Sequence, residues 1–358
     1  MRGKGKVVFI LLVAGTLLSN GCTSLGPRTV ARDRFDYTAA ISDSWKSQML
    51  LNMVKMRYGD APVFLDVGSV INQYAVEGFV DAGASWFSHP YSSSQVIGVG
   101  GKFSNRPTIT YTPLKGGQFT RNLMTPIPPA SILNLAQAGY PIDLVFRLCV
   151  HAINGIQNRY GGTARPLVAG PEFYPLLERM RRIQDSGAIG LRVQKIDEKD
   201  TFVMFFKSKV DGATEADIAE VRKVLGLDPH ARGFKVVYGA IAADDKEIAI
   251  LSRSMLQIII DLASYIAVPE GHVAEKRTPA TFKDEPVNGV PIAPLIRVTS
   301  APQKPTDAFV SIRYGDSWFW IDDKDFPSKQ IFSFLMFIFT LTETGVEEKA
   351  PPVVLPLG

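Results

Sequence analysis

Cysteine and histidine are scarce in this chain. Its 358 residues include two cysteines, Cys22 and Cys149, and four histidines, His89, His151, His230 and His272. No two histidines stand at helical metal-ligand spacing. Neither H-E-x-x-H nor C-x-x-C occurs, so the common sequence-local zinc sites are absent. Two cysteines cannot build a disulfide framework. A membrane-spanning apolar run is also missing. The longest, Val7 to Leu18, has twelve residues, about 18 Å of helix against a hydrocarbon core of roughly 30 Å. Charge of one sign is not in excess. There are 39 basic and 35 acidic residues, and Arg2, Lys4 and Lys6 open the chain. Without those three the signs are near parity. No basic stripe alternates with aromatics, so nothing points to nucleic acid.

Catalytic motifs are equally thin. GVGGKF (98–103) has Val96 where a phosphate loop needs its first glycine and Phe103 where it needs Ser or Thr. There is no G-x-S-x-G nucleophile elbow. Asp322, Asp323 and Asp325 are followed by Phe326-Pro327, which stands where a calcium loop needs a further ligand and a glycine. Those acids suit the N-terminal dipole of the helix predicted after them. No catalytic residue, metal ligand or cofactor is assigned.

What is present begins at the N-terminus. A basic start, the apolar run and the small or polar Ser19, Asn20 and Gly21 lead to Cys22. The run is signal-peptide length, and no A-x-A-like cleavage site precedes its end. The order is similar to a bacterial lipoprotein signal, in which the cysteine thiol accepts a diacylglyceryl group before cleavage. Departures are Ser19 and Asn20 where Leu and a small residue are usual, with Leu18 one step early. Residues 1–21 are therefore read as a signal peptide, Cys22 as the lipid anchor and 22–31 as a tether. Two or more acyl chains hold a protein firmly to a bilayer. Thr23 follows the cysteine, where aspartate would resemble an inner-membrane retention signal, so the expected location is the periplasmic face of the outer membrane.

Along the mature chain, apolar residues from Tyr37 through Met56 recur at helical steps after Asp33, and Gly59 supplies the stop. Residues 62–78 read as strand, the Gly/Ser-rich 81–95 as a loop, and 96–112 as strand again. Two helices follow, around a Gly-Tyr-Pro break. YGGTARPLVAGP reads as a boundary, dividing an N-terminal region, 32–165, from a C-terminal region, 166–345, with a Pro-rich tail at 346–358. LRVQKI and TFVMFF flank a hairpin turn. A helix is expected from Thr214, supported by Asp217. FKVVYGA and EIAIL are strands, SRSMLQIIIDLASYIA an apolar helix, and LIRVTS, AFVSIRY and SWFWID strands before a last helix, 328–341. Its IFSFLMFIFTL is too short to span a bilayer and lacks a charged face, so it reads as a buried core helix. Strand pairs alternating with helices indicate an α+β fold, with mostly antiparallel sheet packed by helices.

Three further readings concern single residues. Cys149 lies in the apolar PIDLVFRLCVHAIN and is expected buried, unpaired and unreactive. RYGDAPVFLD (57–66) and RYGDSWFWID (313–322) share a motif in different contexts, a helix end and a strand junction, and read as a coincidence. In AFVSIRYGDSWFWIDD, Gly315-Asp316 fits a two-residue turn. It pairs Tyr314 with Ser317, Arg313 with Trp318, Ile312 with Phe319 and Ser311 with Trp320. One face then holds Val310, Ile312, Tyr314, Phe319 and Ile321. The other holds Phe309, Ser311, Arg313, Trp318, Trp320 and Asp322. Tryptophans beside an arginine are typical of binding hot spots, so Arg313, Trp318 and Trp320 are the candidate partner-binding residues; the alternative is that another layer of the protein covers this face, since tryptophan is usually highly buried.

The segments RFDYTAAISDSWKSQMLLNMVKMRYGDAPVFLDVGSVINQY and VSIRYGDSWFWIDDKDFPSKQIFSFLMFIF resemble a family of uncharacterised proteobacterial envelope lipoproteins. The resemblance covers most of the mature chain. It implies an envelope location and carries no activity and no functional residue. Two function classes follow. One is a non-catalytic interaction or assembly component that meets the membrane through its lipid and an envelope protein through its surface. The other is a periplasmic enzyme, such as a hydrolase, whose catalytic residues are dispersed in the sequence.

Overall fold

The first helix, α1 (Leu25–Arg57), runs well beyond the expected start at Asp33. The fold comes from a computed structural model that describes residues 25–71, 74–86, 93–105, 108–162, 166–196, 199–282, 286, 289 and 291–343. The signal peptide, Cys22 and the Pro-rich tail lie outside the described residues. The expected tether is helical from Leu25. Pro27 falls in the first turn, where proline lacks no required hydrogen bond. At the other end Gly59 takes φ +74°, the left-handed conformation that ends helices.

Two compact units divide the described chain. The first takes the residues up to Trp45 and Leu65–Pro113, and the second takes Lys46–Phe64 and everything from Leu114 onward. This division differs from the expected one at 165/166. The segment there links strands of a single sheet. It is also tied to itself, since Tyr160 and Leu167 exchange backbone hydrogen bonds of 2.9 and 2.8 Å.

In the first unit, β1 (Leu65–Ile71) pairs antiparallel with β4 (Thr108–Pro113), and β2 (Tyr74–Trp86) with β3 (Ser93–Asn105). The pairings are nested, so the four strands are successive stretches of one hairpin. The expected loop at 81–95 is thus corrected at 81–86 and 93–95, which are strand, while 87–92 lie outside the described residues. The ladder satisfies backbone groups whatever the side chains. Each pair forms a sheet of only two strands.

The second unit contains a six-stranded sheet in the order β6-β5-β10-β9-β8-β7. Its strands are β5 (Val150–Ile153), β6 (Ile156–Gln157), β7 (Ile189–Ile196), β8 (Lys199–Phe206), β9 (Gly233–Tyr238) and β10 (Glu247–Ser252). All neighbours are antiparallel except β9 and β10, which are parallel. After α2 (Gly116–Phe119) come α3 (Pro129–Gln137), α4 (Ile142–Cys149), α5 (Phe173–Asp185), α6 (Gly212–Leu225), α7 (Met255–Ala263) and α8 (Glu270–Ala274). Helix α6 starts earlier than expected. Its N-cap is Asp211, whose carboxylate accepts from the Thr214 backbone N–H at 2.9 Å and from its hydroxyl at 2.7 Å. Asp217 instead holds Arg182 through two hydrogen bonds.

A separate sheet has the order β11-β13-β12, from β11 (Thr299–Ala301), β12 (Ala308–Tyr314) and β13 (Ser317–Asp322). Helix α9 (Phe326–Glu343) follows. Asp325 accepts from the Ser328 backbone N–H at 3.2 Å and from its hydroxyl at 2.8 Å in the first turn. Ile331, Phe332, Phe334, Leu335, Ile338 and Phe339 are buried, as a core helix requires. Among the described residues no helix is long and apolar enough to cross a membrane.

Candidate functional site

The β12–β13 hairpin has the expected register. Tyr314 faces Ser317, Arg313 faces Trp318, Ile312 faces Phe319 and Ser311 faces Trp320. Gly315 has φ +59°, as the first central residue of a type II′ turn must. Val310, Ile312, Phe319 and Ile321 are buried, so one face belongs to the core. On the other, Trp318 and Trp320 are half-buried and Arg313 is exposed. Strand β11 lies beside β13, with Ala301 opposite Trp318 and Thr299 opposite Trp320. The cation over the Trp318 ring is Lys304, 5.4 Å from its centroid; Arg313 keeps only its cross-strand position. Phe309 departs from the expected mixed face. A bulge between Ala308 and Val310 shifts the ladder and re-aims the extra residue. Its ring meets Phe332 edge-on, with Lys46 and Lys329 over it.

The two RYGD segments converge, which the reading of them as unrelated did not foresee. The Tyr58 and Tyr314 rings lie 5.2 Å apart, and the Tyr314 hydroxyl donates to Asp60 at 3.4 Å. Between them stands the buried His272 on α8. Its Nε2 is 3.1 Å from Asp316 Oδ1, and its Nδ1 is 2.7 Å from the Tyr58 hydroxyl. An ionised carboxylate only accepts, so in the neutral ring Nε2 carries the proton and Nδ1 accepts from Tyr58. Asp–His–Tyr is the order of a proton relay. Burial raises the Tyr58 pKa above its ordinary value, so the hydroxyl stays protonated at neutral pH. The arrangement clasps α1, α8 and the β12–β13 turn together. Next to it is a cavity of about 610 Å³ lined by Arg57, Tyr58, Gly161, Ser264, Arg277 and Phe282. Arg57 is buried there. It donates from Nη2 to the Pro279 carbonyl at 2.8 Å, and its Nε has no partner among the described residues.

A second polar cluster lies in the core. Asp261 of α7 takes Arg253 Nη1 at 3.0 Å, Arg159 Nη1 at 3.2 Å and the Gly161 N–H at 2.6 Å. Arg253 also donates to the carbonyls of Leu148, Arg147 and Arg159. All three charged side chains are buried. A lone acid in the apolar IIIDLASY was the sequence signal for this cluster. Cys149 ends α4 nearby, 0 % exposed and unpaired. Burial pushes its pKa up to about 12, opposed by Arg253. His151, two residues on, is on β5. Burial lowers its pKa, as does neighbouring Arg253, with Asp261 opposing.

Among the described residues no three His, Cys, Asp or Glu side chains gather as a metal site. No family model, curated protein or solved structure matches the chain.

Proposed function

We propose that this chain is a lipid-anchored envelope protein, held by Cys22 at the periplasmic face of the outer membrane. It serves as a non-catalytic assembly component that meets an envelope protein through Arg313, Trp318 and Trp320. The observation that carries this reading is the asymmetry of one strand. On β13, Phe319 and Ile321 are fully buried while Trp318 and Trp320 between and beside them keep solvent contact. Large amphipathic rings next to cations are what association surfaces use. The anchor is supported by the basic start, short apolar run and Gly21-Cys22 junction.

Two experiments test the two parts. Cells fed a labelled fatty acid should label the wild-type chain and leave Cys22→Ala unlabelled; an unlabelled wild type would sink the anchor. A photo-crosslinking residue at position 318 or 320 should trap an envelope protein. Trp318→Ala with Trp320→Ala should remove the adducts formed from position 313 with little change in Tm. A large fall in Tm would make both rings part of the core and end the surface proposal.

A further inference from the structure

Four arginines are buried among the described residues: Arg57, Arg159, Arg222 and Arg253. Three of them have a carboxylate from the chain itself. Arg253 and Arg159 share Asp261 at 3.0 and 3.2 Å, and Arg222 has Glu215 at 3.5 Å. Arg57 has no carboxylate among the described residues. Its Nη2 donates to the Pro279 carbonyl, its Nε donates to none of them, and its own carbonyl accepts from the Thr278 hydroxyl at 2.9 Å. Burial lowers the Arg57 pKa below the ordinary arginine value, opposed by Tyr58 and by no carboxylate. A guanidinium stays charged even when buried, and a buried charge is costly unless the opposite charge stands beside it.

Arg57 lines the cavity of about 610 Å³ beside the clasp, a volume in the range of small-molecule sites. The charged residues of that lining carry one sign. They are Arg57, Lys276 and Arg277, with no Asp or Glu among the described lining residues. Arg277 is already engaged, with Asp316 at 3.4 Å and Glu275 at 3.7 Å. Arg57 is the buried cation of the three, 8 % exposed. Met56, Ile260, Ala263, Val273 and Phe282 add apolar wall.

These observations define a ligand class. The sign of the lining excludes a cation. One buried guanidinium with an uncommitted Nε–H suits a single carboxylate, through a charge-assisted hydrogen bond. A dianionic phosphate would bring a second charge whose desolvation one guanidinium does not offset. Aliphatic and aromatic walls reward an apolar body, which a bare inorganic anion lacks.

We infer that this cavity binds a small organic monocarboxylate with an apolar body, its carboxylate on Arg57 and its body against Ile260, Val273 and Phe282. The ligand then gives Arg57 what Asp261 and Glu215 give the other buried arginines. The site is distinct from the surface of Trp318 and Trp320, and it does not rest on the anchor at Cys22.

The test uses the full chain in nanodiscs of phosphatidylcholine, titrated by calorimetry with hexanoate and, separately, with phenylacetate, against empty nanodiscs. At least one should bind saturably, one to one, and raise Tm as its concentration rises. The tighter of the two tells whether the body is aliphatic or aromatic. Hexanol and hexylamine should not bind. Arg57→Gln should weaken the carboxylate by about tenfold or more, the worth of a hydrogen bond to a charged group. Because Arg57 also holds Pro279, a second variant leaves it in place. Ala280→Phe, at an exposed position of the lining, should obstruct the cavity and abolish binding with Tm of the free chain unchanged. Trp318→Ala with Trp320→Ala should bind as the wild type does, which separates this site from the partner surface. Neither heat nor a rise in Tm with both carboxylates would overturn the proposal. So would inorganic phosphate binding as tightly as they do, or wild-type affinity in Ala280→Phe.

Discussion

Phe319 on β13 and Tyr111 on β4 are both aromatic residues in antiparallel strands. Phe319 is 0 % exposed and Tyr111 is 55 % exposed. Secondary structure does not explain the difference. The hairpin of β13 packs one face into the second unit, where α9 and the clasp around His272 also converge. Among the described residues, β4 pairs with β1 alone. The second unit supplies its own core. In the first, Leu65, Ile109 and Tyr111 have the backbone pairing of a sheet and stay exposed, without the burial that makes a sheet stable in water.

Changes in the core should act on the second unit alone and strongly. Asp261→Ala leaves Arg253 and Arg159 buried without their carboxylate, and removing one partner of a buried ionic cluster costs about 3 to 5 kcal/mol. Chemical denaturation should show that loss. A change below about 1 kcal/mol would mean that water reaches the cluster. A smaller effect is expected at Cys149. Its thiol, with its pKa raised to about 12 by burial, should resist thiol reagents in the folded chain and react once the chain unfolds. Cys149→Ser should cost about 1 to 3 kcal/mol by placing a hydroxyl in an apolar site. Rapid reaction of the native protein would contradict the burial.

The pH response should be weaker still. The folded pKa of His151 is lowered, chiefly by burial, so the unfolded chain binds its proton more readily. Stability therefore rises with pH through that window and falls as pH drops below the ordinary histidine value of about 6.5. His151→Gln should flatten that part of the curve relative to wild type; identical slopes would remove His151 from the account. The smallest effect belongs to the first unit. Tyr111→Ala should change the unfolding free energy of the chain by no more than about 0.5 kcal/mol, as exposed positions do. A larger loss would mean that Tyr111 already has a packing partner.

The two regions also differ in how far their sequences revealed them. The β12–β13 register was legible because Gly315-Asp316 admits one turn geometry and the strands alternate cleanly. Burial of Cys149 and of α9 was legible from apolar runs. The bulge at Phe309 was not, because an extra strand residue leaves no compositional mark. The clasp was missed because Tyr58, His272 and Asp316 are far apart in sequence, although the repeated RYGD marked two of its three parts. The hairpin of the first unit read as a loop at 81–95 for a physical reason. Gly and Ser have low strand propensity, and only the partner strand shows that Gly78 faces Gly101 and Ala82 faces Ile97.

Amide hydrogen exchange, followed by mass spectrometry on the full chain, tests the comparison most directly. Strands β8, β9 and β10 each have a paired neighbour on both sides, whereas among the described residues β1 and β4 pair with each other alone. The account expects the amides of β1 and β4 to exchange first and those of β8, β9 and β10 to stay protected. Protection of β1 and β4 equal to that of β9 would contradict it.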